Sequence, residues 1–272
     1  MNFLIFLLLI LLLILILPAI QQQLINRRRF DSIRTIEKNR GSRLITLIDR
    51  RQSVSIFGFP FREYIDIEDA EEILSAIRLT PQSMPIDLVI HTPGGIELAV
   101  EQITYALLNH PAKVTVFVPH LALSGGTLLA LAADQIVMDE NAFLGRIDPQ
   151  IFNFPASSIN SVSEKKPPKD IDDTTFIMID IAKKAINQTN VFVRKIMLEN
   201  GYKESVVKKV LETLVSGKQT HDEPVTFREA INLGLRVTSL VPQDIYGLLQ
   251  LYPPRRPVTT VHYIPVRYRR YR

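Results

Sequence analysis

The sequence predicts a layered α/β domain with parallel strand pairing, carried behind one N-terminal transmembrane helix. Three features support that expectation. Short β-branched runs alternate with helical patterns along the chain, the order that lays helices on the faces of a parallel sheet. Two of those runs break at adjacent glycines just ahead of a helical pattern. The first stretch, residues 3–20, is almost wholly Leu, Ile and Phe. At about 18 residues without a charge, it is just long enough to cross a bilayer core.

A cleaved signal peptide has basic residues before its apolar run and a small-x-small site after it. Here the order is reversed, because Arg27, Arg28 and Arg29 follow the run and no Lys or Arg precedes it. An uncleaved, single-pass anchor is expected, with the bulk of the chain cytoplasmic by the positive-inside rule. The formal charge of +4 is concentrated at the ends. Without Arg27–Arg29 and the six arginines between Arg255 and Arg272, the remainder carries −5. Basic segments beside a bilayer attract anionic lipid headgroups, so membrane lipids are expected partners. No recognition motif accompanies the charge, and no nucleic acid is expected. The expected organisation is an anchor at 1–25, a juxtamembrane connector at 26–42, one domain at 43–250 and a basic Pro/Arg/Tyr-rich tail at 251–272.

Within the domain, residues 44–48 and 53–57 read as strands. Ile67, Ala70, Ile73, Leu74 and Ile77 recur at helical spacing behind a capping Asp66. A strand at 86–90 breaks at Thr92-Pro93-Gly94-Gly95 and leads into a helix at 97–108. The strand at 114–118 ends in Pro119-His120. A small-residue run through Ser124-Gly125-Gly126 follows, then a helix at 128–133, a strand at 135–138 and a β segment at 143–151. The Ser-, Lys- and Pro-rich stretch 155–173 reads as an exposed loop. Helices are expected at 174–187, 203–215 and 227–233, the last stopped by Gly234, before a strand at 235–241. No repeat period is present.

There is no cysteine, which excludes disulfides, thiolate zinc sites and iron–sulfur clusters. No His, Asp and Glu grouping has metal-ligand spacing, and no cofactor is expected. The two glycine turns do not match phosphate-loop or dinucleotide patterns. Adjacent glycines at a helix N-terminus do let backbone N–H groups approach a substrate. Such donors suit the developing oxyanion of an attacked carbonyl, and a serine at the same kind of turn lies within reach of it.

At these residues the chain resembles a known family. Ile90-His91-Thr92-Pro93-Gly94-Gly95 is similar to the oxyanion loop of Clp proteases and signal peptide peptidases. Leu123-Ser124-Gly125-Gly126-Thr127, running into Ala130-Leu131-Ala132-Ala133-Asp134, resembles their nucleophile helix. Tyr64 to Asp69, Leu144-Gly145, Asp148-Pro149-Gln150 and Thr220-His221-Asp222 extend the likeness over residues 43–265 to the serine dehydrogenase proteinase family. The resemblance implies a Clp protease/crotonase-like fold of repeated β-β-α units, assembled as a homo-oligomer. It implies a serine endopeptidase that cuts peptides or membrane-protein segments. Ser124 would be the nucleophile, and the N–H groups of Gly94 or Gly95 and of Gly125 would form the oxyanion hole. Serine breakdown, the other activity in the family's name, has no visible chemistry here.

A serine hydroxyl needs a neighbour to accept its proton. The resemblance to Clp proteases places Asp148 or Pro149 where their histidine stands, so that triad is not preserved. Signal peptide peptidases use a lysine, and the interval from Ser124 selects Lys166 from Lys165, Lys166 and Lys169 as the expected general base. By sequence alone the same run also reads as a solvated loop. Lys184, His120 and His221 are the other candidates. His221 with Asp222 reads either as a base–orienter pair or as a structural cap, and His91 as a support for the oxyanion loop. Two other functions stay open: a catalytically inactive crotonase-fold scaffold at the membrane, and an acyl-CoA enzyme using the same oxyanion geometry.

Overall fold

The computed structural model describes residues 3–49, 54–56, 59–61, 65–152 and 154–252, with side chains from residue 16 onward outside 50–64 and 153. Helix α1 (Phe3–Arg40) opens the chain. Gly41 follows at φ +64° and turns the chain into β1 (Arg43–Ile48). A short antiparallel pair, β2 (Val54–Ile56) and β3 (Phe59–Phe61), precedes α2 (Ile67–Arg78). Asp66 caps α2 through a reciprocal capping box with Asp69, as its position predicted. Next come β4 (Ile86–His91), α3 (Glu97–Leu108), β5 (Val114–Val118), β6 (Leu121–Ala122), α4 (Gly125–Leu131) and β7 (Gln135–Met138). Three two-residue strands, β8 (Phe143–Leu144), β9 (Gln150–Ile151) and β10 (Phe154–Pro155), lead to α5 (Ala156–Lys165) and the long α6 (Asp173–Glu199). The chain ends in α7 (Glu204–Val210), β11 (Val225–Thr226), α8 (Phe227–Leu233), β12 (Val237–Thr238) and α9 (Gln243–Gln250).

The main sheet is parallel throughout, in the order β1-β4-β5-β7-β12. Its central strands are continuous apolar runs because both faces are covered. Leu88, Ile90, Val116, Val118, Ile136 and Met138 point to one face, against Ile103 and Leu107 of α3, Leu129 of α4 and Val193 and Ile196 of α6. Val89, Phe117 and Val137 alternate to the other face, where Ile36 of α1 and Ile245, Leu248 and Leu249 of α9 cover them. A smaller sheet, β11-β8-β6, stands beside the first. β5, β6 and α4 thus form one strand–strand–helix unit that feeds both sheets. Asn200, at the end of α6, donates to the Leu131 and Ala133 carbonyls at 2.8 Å each and fixes the far end of α4.

Several expectations change. Helix α1 runs unbroken through the boundary expected between anchor and connector, and Ile36 is fully buried against the sheet. Among the described residues, no helix is long and apolar enough to cross a membrane. The expected transmembrane helix is therefore not borne out there, because most of run 3–20 precedes the described side chains and the helix turns polar at Gln21. Arg29, expected to face lipid, donates to the Leu251 carbonyl at 2.9 Å and lies over the Tyr252 ring. The expected loop at 155–173 contains α5, because Ala156 and Ile159 pack onto Ile179 and Ala182 of α6. The β segment expected at 143–151 splits around residues 145–149, and the strand at 235–241 contracts to β12. Of the tail, residues 253–272 lie outside the described set.

One buried ion pair joins α1 to the sheet. Asp87 of β4 is 2 % exposed and accepts from Arg40 and from the Ser42 hydroxyl. The Arg40 guanidinium also lies 4.7 Å from the centre of the Phe117 ring. Arg40→Met leaves the Asp87 carboxylate buried without its cation and is expected to destabilise the chain by about 2–4 kcal/mol. Adding Asp87→Leu should recover most of that loss, as read by denaturant unfolding in detergent.

Candidate functional site

Both glycine turns lie at the C-terminal end of the main sheet and are stitched to each other. The Thr92 N–H donates to the Leu121 carbonyl at 3.3 Å, and the Leu123 N–H donates to the Thr92 carbonyl at 3.0 Å. Ser124 sits at the head of α4 with φ 49° and ψ −114°, a conformation costly for a residue with a Cβ. Serine is a preferred helix cap, yet this side chain makes no capping hydrogen bond. Ser124 lines a cavity instead.

Close packing holds the serine there. Gly94, at φ +134°, passes so near that a Cβ on it would lie 3.0 Å from Ser124 Cβ and 3.5 Å from Oγ. A Cβ on Gly145 would lie 2.8 Å from Leu123 Cα and 2.9 Å from Ser124 N. Beneath them the buried Thr127 hydroxyl donates to the Ala122 carbonyl at 2.8 Å and accepts from the Gly145 N–H at 2.9 Å. One side chain thereby ties the start of α4 to β6 and to the turn that packs on the serine.

The expected oxyanion donors separate into two kinds. The Gly94 N–H is engaged with Thr92 Oγ1 at 3.2 Å, which makes Gly94 a packing residue. Gly95 pairs with Ile65 in a parallel bridge that uses the Gly94 carbonyl and the Ile96 N–H, so the N–H of Gly95 itself faces the other way. A Cβ on Gly125 would lie 3.4 Å from Gly95 N, so these two backbones run side by side. Among the hydrogen bonds of the described residues, none uses the Gly95 or the Gly125 N–H.

The cavity beside Ser124 has a volume of about 950 Å³. Ile96, Val100, Leu128, Ile181 and Ala185 give it an apolar wall, and Phe152 stands at its edge, 76 % exposed. Its ionisable members are Glu97, Asp148, His221 and Asp222. Burial, helped by neighbouring Glu101, pushes the Glu97 carboxyl up from the usual carboxylate range. His221 Nδ1 lies 2.8 Å from Asp148 Oδ1, while Gln150 Nε2 donates to Asp148 Oδ2 at 2.8 Å. The pairing expected of His221 with Asp222 is thus replaced by one with Asp148, a residue 73 positions away.

The other expected bases stand elsewhere. Lys166 is the exposed C-cap of α5 and is not among the described residues that line the cavity. Lys184 is exposed on α6 and paired with Asp180 one helical turn away. His120 is exposed, packs edge-to-face with His91 at 5.7 Å, and neither ring lines the cavity. The sequence marked Asp148-Pro149-Gln150 as part of the family likeness and Asp148 as standing where a histidine was expected, but it gave neither Asp148 nor Gln150 a role beside His221 and did not single out Phe152. The one available signal was an acidic residue behind the Gly145 turn, to be matched with a histidine in a distant turn.

With the strained serine, the paired N–H groups and the parallel sheet in place, comparison with known proteins decides the family. The chain belongs to the ClpP-like SDH-type serine proteinases, whose family pattern matches residues 1–272. That membership confirms the Clp-type α/β fold expected from the glycine motifs and places the chain among serine peptidases. Two uncharacterised proteins of Methanocaldococcus jannaschii are each 49 % identical to it. The alignments cover 89 % of this chain and 82 % of one relative, and 91 % and 87 % for the other. A solved structure of a membrane-bound stomatin-specific protease aligns at 18 % identity over 77 % of this chain and 84 % of its own, with a TM-score of 0.47.

Two substitutions test the packing around the serine. Ser124→Gly removes the positive-φ strain, less the extra chain entropy of glycine. It is expected to raise stability by about 1 kcal/mol while abolishing any reaction of the hydroxyl. Gly145→Ala drives a methyl into the Ser124 backbone and should cost about 2 kcal/mol and reduce serine reactivity, both measurable on one purified preparation.

Proposed function

We propose that this chain hydrolyses peptide bonds through Ser124, with the Gly95 and Gly125 N–H groups receiving the oxyanion. The supporting observation is the strained Ser124 itself, lining a cavity beside two backbone donors that no hydrogen bond among the described residues uses. Attack of Oγ on a peptide carbonyl gives a tetrahedral oxyanion. Collapse releases the amine and leaves an acyl-enzyme, and water then frees the acid and the serine. Each oxyanion donor is worth about 3–4 kcal/mol at that step. The apolar wall suits side chains of a peptide. Among the described lining residues there is no Lys or Arg to meet the phosphates of an acyl-CoA, which favours the peptide reading over that alternative.

The reading includes a membrane tether. Residues 3–20 have the length and composition to hold the chain in a bilayer, with Arg27 and Arg28 on the cytoplasmic side. Substrates are then peptides or membrane-protein segments at that surface, and the family resemblance supports a homo-oligomer.

Fluorophosphonate labelling of the detergent-solubilised chain should modify wild type at Ser124 and leave Ser124→Ala unlabelled. A folded wild type that resists labelling would sink the hydrolase reading and favour the scaffold. Carbonate washing of membranes should retain the full chain and release one that begins at residue 26; retention of both would remove the tether.

A further inference from the structure

We propose that His221 is the general base for Ser124 and that Asp148 is its positioning residue, an assignment that rests on the peptidase reading above. Both side chains line the cavity that Ser124 opens into. A carboxylate has only acceptors to offer, so the 2.8 Å contact between Asp148 Oδ1 and His221 Nδ1 places the ring proton on Nδ1. Nε2 is then left with the lone pair that a base needs. Asp148 is 3 % exposed and anchored by Gln150, which fixes the ring from behind. The His221 side chain is 32 % exposed, so it is not sealed from solvent.

The turn carrying His221 is tied to the turn that packs on the nucleophile. Arg146, itself buried, pairs with Glu223 at 3.3 Å and donates to the Thr213 carbonyl. Glu223, two residues after His221, is thereby held to Arg146, which follows Gly145, the residue packed on Ser124 N, and precedes Asp148 by two positions. Asp222 and Glu97 also line the cavity, but each offers a carboxylate with no ring to orient. In the reaction, Nε2 takes the Oγ proton as the Oγ–carbon bond forms. It then passes that proton to the leaving amine nitrogen as the C–N bond breaks. In the second half it takes a proton from the attacking water and returns it to Oγ as the acyl bond breaks.

The test is the rate of fluorophosphonate labelling of the full chain in detergent, followed against pH. His221→Gln should slow labelling by about 10²–10⁴-fold. His221→Gln should also alter the pH profile of labelling, a change that a structural role would not produce. Asp148→Asn should slow labelling with the protein still folded, because an amide no longer dictates which ring nitrogen carries the proton. Added imidazole should restore part of the rate to His221→Ala, which separates a missing base from a missing fold. Lys166→Ala should label at the wild-type rate. Labelling lost in Ser124→Ala but undiminished in His221→Gln, or lost in Lys166→Ala, would overturn the base while leaving the nucleophile in place. No labelling of folded wild type would overturn both.

Discussion

The site depends on one backbone constraint, the positive φ of Ser124. A residue with a Cβ avoids that region, and left alone the serine would relax to an ordinary helix cap with its oxygen turned to the α4 N–H groups. Three close contacts prevent this. Gly94 presses from the turn after β4, Gly145 presses from the turn after β8, and Thr127 bonds β6 and Gly145 together beneath. Glycine is required at 94 and 145 because a methyl group would occupy space already held by the serine or its neighbour. The strain, of order 1–3 kcal/mol, keeps the hydroxyl free of backbone partners.

The main sheet supplies the rigidity that such strain needs. Its central strands are buried on both faces, and the turns after β4 and β5 leave its C-terminal edge side by side, where loops of parallel sheets bring residues together. The cover on the second face comes from α1 and α9. Arg40 and Asp87 fix α1 to the sheet at one point, while Arg29 and Tyr252 hold it to the end of α9 at another. The helix that begins with the apolar run is therefore continuous with the packed domain.

Much of this was legible in the sequence, for reasons that differ from element to element. The central strands showed as β-branched runs because parallel sheets bury both faces, and the two glycine turns marked the backbones that meet at Ser124. The helix at 156–165 was hidden because it buries only Ala156 and Ile159, so its composition is that of a loop. The connector was read as juxtamembrane because polar residues dominate 21–40, although half-buried Ile33 and fully buried Ile36 pack on the second face of the sheet. Gly94 was grouped with the oxyanion donors because sequence shows a glycine and not which way its N–H points. The partner of His221 was out of reach for a simpler reason. Asp222 is adjacent in the chain, while Asp148 becomes adjacent only once β8 and β11 pair.

That last pairing bears on how a family pattern should be carried onto a chain. Resemblance to Clp proteases put an aspartate at the position where a histidine was expected, and by residue matching that triad was not preserved, which turned the search for a base to lysines. In space, the same position holds one half of a histidine–carboxylate pair, with the histidine arriving from the turn before β11. Chemistry constrains the distance between ring and carboxylate and the direction of the ring nitrogens, but not which segment supplies which group. Two turns pinned together by Arg146 and Glu223 can exchange those contributions without moving the cavity wall. A missing histidine at a matched position is therefore weak ground for calling the serine unassisted when a second turn brings a histidine to the same carboxylate, as the His221 turn does here.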